Sequence, residues 1–144
     1  MSDLEGHLQK AIVSIPECVA AGYVDLSTGM LLGIRTVDSH PQEVLELLSA
    51  ATSDLFQGTN VVTIENLFKK ARGLPADGGY HYFQEMIITS DNLLHLFLRG
   101  KTHTDHVVVF VCRRSANLGM AIMKARTALP DIELVVYECH HAPA

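Results

Sequence analysis

The chain has 144 residues, 48% of them hydrophobic and 19% charged, with a formal net charge of −5. That length suits one domain around one core, the composition is too apolar for a disordered chain, and the acidic balance lacks the field of a nucleic-acid binder. There are three cysteines and no C-x-x-C, the N-terminus is neither basic nor strongly apolar, and no run nears the roughly 20 apolar residues of a membrane span. The expectation is a reduced, cytoplasmic protein with no membrane insertion and no nucleic-acid partner.

Asp3 to Ser14 reads as a helix, with Leu4, Leu8, Ala11, Ile12 and Ile15 at helical spacing and Pro16 as its stop. Residues 18–36 hold two β-rich runs around Asp25, Ser27, Thr28 and Gly29, the composition of a hairpin turn rather than of a polar site. His40-Pro41 opens a second helix, whose stripe Val44, Leu48, Ala51 and Leu55 is expected to face the core. Leu45, Leu47 and Ala50 widen its apolar surface, so this helix has a second thing to touch. Gly58 interrupts it. Residues 60–73 mix strand propensity with helical spacing of Ile64, Leu67, Phe68 and Ala71; the spacing and the Glu65–Lys69 pair favour a helix. "GLPADGG" is a loop.

Three strands are predicted next, at Tyr80–Thr89, Leu93–Leu98 and Asp105–Cys112. Their short connections force antiparallel neighbours. "HVVVFVC" is almost wholly apolar and reads as a central strand covered on both faces. Ser115 or Asn117 starts the last helix, with Leu118, Ala121, Ile122, Ala125 and Leu129 inward and Pro130 at its end. "IELVVYE" is read as one more strand. The fold class is therefore α+β: a central five-stranded antiparallel sheet with helices packed over it, in the order αββα(α)βββα. Residues 1–131 form one domain, and 132–144 a C-terminal extension with an extra strand and a flexible tail.

No P-loop, G-x-G-x-x-G or G-x-S-x-G occurs, so the sequence carries no recognisable catalytic motif. His103, Asp105 and His106 lie close in sequence, and His140-His141 sit in the tail, but no further ligand has a metal-site spacing. They read as polar turn residues, and no metal or cofactor is expected. His95 shares a strand face with Leu93 and Phe97 and reads as an internal or interface histidine. Cys18 and Cys112 lie in apolar runs and are expected to be reduced, buried and chemically silent, whereas Cys139 near the end should label readily.

Two stretches, "IPECVAAGYVDLSTGMLLG" and "SANLGMAIMKAR", resemble the roadblock/dynein light chain family, within the profilin-like and longin-type fold group. Val24-Asp25 through Gly29-Met30-Leu31-Leu32 matches its first hairpin, and Asn117-Leu118-Gly119 the start of its last helix. The element order fits over roughly residues 3–130. Segment 58–79 and the tail "DIELVVYECHHAPA" depart from the simplest members. The resemblance implies no enzyme, but a homodimer that acts as an interaction platform for a small Ras-like GTPase. Two alternatives are a small-ligand or metal sensor and an assembly subunit without a GTPase partner.

The sheet order implied by the resemblance puts the third strand at an edge, where unpaired backbone groups invite a second copy. The dimer is expected to form through this strand and the helix at Pro41–Phe56. The interface residues are Leu45, Leu47, Ala50, Tyr80, Tyr82, Gln84, Met86 and Ile88, the last four sharing one strand face.

Overall fold

The first helix, α1 (Ser2–Ser14), forms where its apolar spacing requires. Leu4, Leu8, Ala11 and Ile12 are all buried, as is Ile15 just beyond its end, and Asp3 and Glu5 in its first turn favour the positive end of the helix dipole. The computed structural model describes residues 2–37, 42–75 and 81–141, and the side chains of residues 2, 42–46 and 138–141 lie outside that description. A hairpin of β1 (Cys18–Asp25) and β2 (Met30–Thr36) follows. Its turn is held by its own polar side chains. The Asp25 carboxylate accepts from the Ser27 N–H and hydroxyl, the Thr28 hydroxyl accepts from the Met30 N–H, and Gly29 takes a φ of 72°.

Helices α2 (Gln42–Gln57) and α3 (Thr59–Ala71) come next, then β3 (Glu85–Thr89), β4 (Leu93–Arg99), β5 (His106–Arg113) and α4 (Leu118–His141). The strands make one antiparallel sheet in the order β2-β1-β5-β4-β3, so β5 is central and β3 lies at an edge. One sheet face packs on α1 and α4, with Tyr23, Leu96, Leu98, Val108 and Phe110 in the main core. The opposite face meets α2 chiefly over β1 and β2, around a smaller cluster of Val24, Leu26, Phe56, Phe97 and Val107. Among the described residues no helix is long and apolar enough to cross a membrane.

Several sequence expectations are corrected. The strand expected at Tyr80–Thr89 begins only at Glu85; Tyr80 itself lies outside the described residues. Pro130 does not end the last helix, and the residues read as a further strand, 132–137, are its C-terminal half. Proline inside a helix costs about 3 kcal/mol. Continuing the helix buries Ile132 and Val136 at 2% exposure or less, which at about 1.5–3 kcal/mol each offsets that cost. Leu118, expected inward, is exposed, while Asn117 caps the helix by accepting from the Met120 N–H at 2.9 Å.

A further correction concerns α2. Leu48 is 56% exposed and Ala51 also faces solvent, while Ser49, Thr52 and Phe56 are buried instead. Leu55 is half-buried. The physical reason lies in the hairpin turn, whose carbonyls need donors. The Ser49 hydroxyl donates to the Gly29 carbonyl at 2.7 Å and the Ser53 hydroxyl to the Leu26 carbonyl at 3.1 Å. Satisfying them turns leucines outward. In α3 the residues that are buried are Glu65 and Lys69, with Ile64, Leu67 and Phe68 exposed.

Candidate interaction surface

The edge strand β3 pairs with β4 on one side, and no second strand borders its other side among the described residues. Register places Met86 opposite Phe97 and Ile88 opposite His95, on the α2 side of the sheet, while Ile87 lies opposite Leu96 on the side of α1 and α4. Ile87 is 46% exposed and Ile88 38%, and on α2 Leu47 is 64% exposed. Glu85, the single charge on β3, is already engaged. Arg126 of α4 donates to its carboxylate from both Nε and Nη2, the shortest distance being 2.7 Å. Arg126 lowers the Glu85 carboxyl below its ordinary pKa, with partial burial acting against it. The strand's outer edge thus carries apolar side chains with no lysine or proline to blunt it.

What stops β3 at Glu85 is a buried polar hub. Arg99, 1% exposed at the end of β4, donates from Nε to the Phe83 carbonyl at 2.9 Å and from Nη1 to the Thr104 carbonyl at 2.8 Å. Its guanidinium lies 5.1 Å from the centre of the Phe56 ring. The Glu65 carboxylate accepts from the Phe83 N–H at 2.9 Å. Phe83 therefore spends its backbone groups on side chains of α3 and β4 rather than on a ladder. Burial lowers the Arg99 pKa, and Glu65 and Asp105 counter it.

The eight residues expected at an interface separate accordingly. Leu47 and Ala50 are exposed on α2; the Leu45 side chain and Tyr80 lie outside the described residues. Met86 and Ile88 share one face of β3. Tyr82 and Gln84 do not continue that face, because they precede the strand. The Tyr82 ring stacks on Phe68 of α3 with centres 5.2 Å apart, and the Gln84 side-chain amide donates to the His81 carbonyl.

Between α2 and the sheet face under it lies an open apolar cavity of about 510 Å³ lined by Gly22, Leu31, Leu48, His95, Phe97 and Val111 among others. Burial lowers the His95 pKa, so its imidazole is neutral at physiological pH.

The histidine-rich turn after β4 is not an exposed polar loop. His103 and His106 are half-buried and stack with centres 4.8 Å apart, and His106 Nδ1 lies 2.9 Å from the Tyr23 hydroxyl. The described residues contain no group of three side chains able to hold a metal ion. The turn is anchored by Glu133, which the sequence reading missed. Its carboxylate, 3% exposed, accepts from the backbone N–H groups of Lys101, Thr102 and His103 at 2.8–2.9 Å. Only glycine fits at position 100, since a Cβ there would run into the His103 backbone carbonyl as well as stand 2.6 Å from a Glu133 carboxylate oxygen. Glu133 follows Leu129 by one helical turn, a signal visible once the helix is carried past Pro130.

Searched against protein-family models and curated proteins, the chain matches none. Solved structures do match. Myxococcus xanthus MglB superposes with a TM-score of 0.69 at 11% identity, covering 96% of this chain and 98% of that one. A roadblock/LC7 domain from Streptomyces avermitilis gives 0.67 at 12% identity, over 94% and 98% of the two chains. The chain has a roadblock/LC7-type fold. The gliding protein MglB from Thermus thermophilus has the same fold, with a TM-score of 0.70 at 16% identity, over 95% of this chain and 90% of that one. In this roadblock/LC7-type chain the Asp25–Gly29 turn is structural, its side chains spent on the hairpin.

Proposed function

We propose that this chain is a non-catalytic, cytoplasmic platform that pairs with a second copy of itself through β3 and α2 and engages a small Ras-like GTPase. The observation that carries the reading is the open β3 edge, whose Met86 and Ile88 face the same side of the sheet as α2 with its outward-turned leucines. A two-fold pairing of β3 with its copy would satisfy the unpaired backbone groups and join two sheets into one. It would also cover Leu47, Met86 and Ile88. A solved structure titled "MglB with tetrameric arrangement" has the same fold and supports self-association. The GTPase partner is inferred from the resemblance. The test is sedimentation equilibrium at micromolar concentration, followed by GTP hydrolysis by the small GTPases of the source organism with and without this chain. A dimer together with altered hydrolysis is expected. A monomer rejects the pairing, and unchanged hydrolysis without association rejects the partner.

The cavity beside α2 favours a second reading, a small-ligand binding protein. Its volume of about 510 Å³ falls in the range of ligand pockets. An apolar ligand that raises the thermal midpoint of the chain would support it, since binding to the folded state stabilises by mass action.

A further inference from the structure

Cys18 opens β1 and Cys112 stands near the end of β5, its partner in the antiparallel register, with a bulge between Cys18 and Ala20 beside the pair. Residues so paired hold their Cα atoms about 4.5–5.5 Å apart whichever kind of pair they form. That lies inside the roughly 4.4–6.8 Å that a disulfide spans. Both side chains enter the same core cluster, and both are free thiols.

We propose that Cys18 and Cys112 form a reversible intramolecular disulfide on exposure to hydrogen peroxide, making the β1–β5 ladder a redox modification site. The inference is independent of the platform reading.

The two thiols are not equivalent. Cys18 is 7% exposed and Cys112 fully buried, so a small oxidant meets Cys18 first. Cys18 also sits at a strand end, after Glu17, whose φ of 52° is left-handed. Glu17 is held there by the Arg113 N–H on its carbonyl and by the Ser115 hydroxyl on its carboxylate. The adjacent Cys112 thiol holds the Cys18 pKa below the ordinary value, against burial, whereas Cys18 and burial push Cys112 up. Being the more accessible of the two, Cys18 is the attacking thiolate and Cys112 the resolving thiol.

The Cys18 sulfur attacks one peroxide oxygen and the O–O bond breaks. The departing hydroxide takes a proton and leaves as water, and Cys18 becomes a sulfenic acid. The Cys112 sulfur then attacks the Cys18 sulfur. The S–O bond breaks, and the oxygen leaves as a second water with the Cys112 proton. Two thiols and one peroxide thus give one disulfide and two waters. The bridge ties the start of β1, just after α1, to the end of β5, just before α4, and a dithiol reductant reopens it.

The experiment uses the full chain carrying Cys139→Ser, treated with peroxide under native conditions, quenched, unfolded and alkylated. Mass spectrometry should find a species lighter by about 2 Da, for two hydrogens lost. Neither Cys18 nor Cys112 should alkylate, a linked peptide should join them, and dithiothreitol should restore both thiols. In the same background Cys112→Ser should stop at a Cys18 sulfenic acid that dimedone traps. Full alkylation of both thiols after peroxide would overturn the proposal. So would oxidation of one thiol with the other left free, a result readable in the chain that keeps the pair and so independent of whether the variant folds.

Discussion

Replacing Glu133 by alanine tests whether the C-terminal half of α4 is anchored by a carboxylate rather than by apolar contact alone. The carboxylate is 3% exposed and accepts from the N–H groups of Lys101, Thr102 and His103. Each such bond to a charged group contributes about 1.5–3 kcal/mol. Lys101 and Thr102 are exposed, so water takes over their donors once the carboxylate is gone, whereas His103 is half-buried. The expected net loss is about 2–4 kcal/mol. For a chain of this length that lowers the thermal midpoint by roughly 6–15 °C. Glu133→Gln keeps a carbonyl acceptor and loses the charge, so it should cost about half as much. Urea unfolding gives the free energies, and amide exchange should show protection falling first at residues 101–103 and in α4 beyond Pro130. A Glu133→Ala chain within about 0.5 kcal/mol of the parent would refute the reasoning, because that is the size of an ordinary surface change.

Ile88→Lys should leave the monomer folded, since Ile88 is 38% exposed, yet weaken self-association at least about tenfold by placing a charge in the strand-pairing face; sedimentation equilibrium reads it, and an unchanged dimer would rule out this interface. Arg99→Met keeps bulk over Phe56 but removes the donors to Phe83 and Thr104, so stability should fall by about 2–4 kcal/mol and amide exchange at residues 81–84 should quicken. The Glu85 carboxyl has a depressed pKa in the folded chain, caused first by its bond to Arg126. Its stabilisation is therefore present above the ordinary carboxyl value of about 4.5 and is lost as pH falls through the lower folded value. Urea midpoints of the parent and Arg126→Ala should differ at pH 7 and converge once the pH lies below the folded carboxyl value, and a gap that persists in strong acid would contradict the linkage.

Local periodicity determined much of this protein. The α1 stripe, the Asp25–Gly29 hairpin, the antiparallel order forced by short connections and the central place of "HVVVFVC" follow from residue spacing and turn chemistry, because each reflects burial along one element. Of the residues expected at an interface, Leu47, Ala50 and Ile88 are exposed, Met86 packs half-buried against the Phe56 cluster, and Tyr82 and Gln84 precede the strand. Tertiary structure decided the rest through polar partners far apart in sequence. Arg99 and Glu65 capture the backbone of Phe83 and end β3 early. Ser49 and Ser53 answer the carbonyls of the hairpin turn and rotate the leucines of α2 outward. Ile132 and Val136 find a core beyond Pro130 and keep α4 helical. Cys18 meets Cys112 only because β1 and β5 pair in one register. A hydrophobic pattern states which residues leave water, but a buried donor's acceptor is chosen by the chain folded around it.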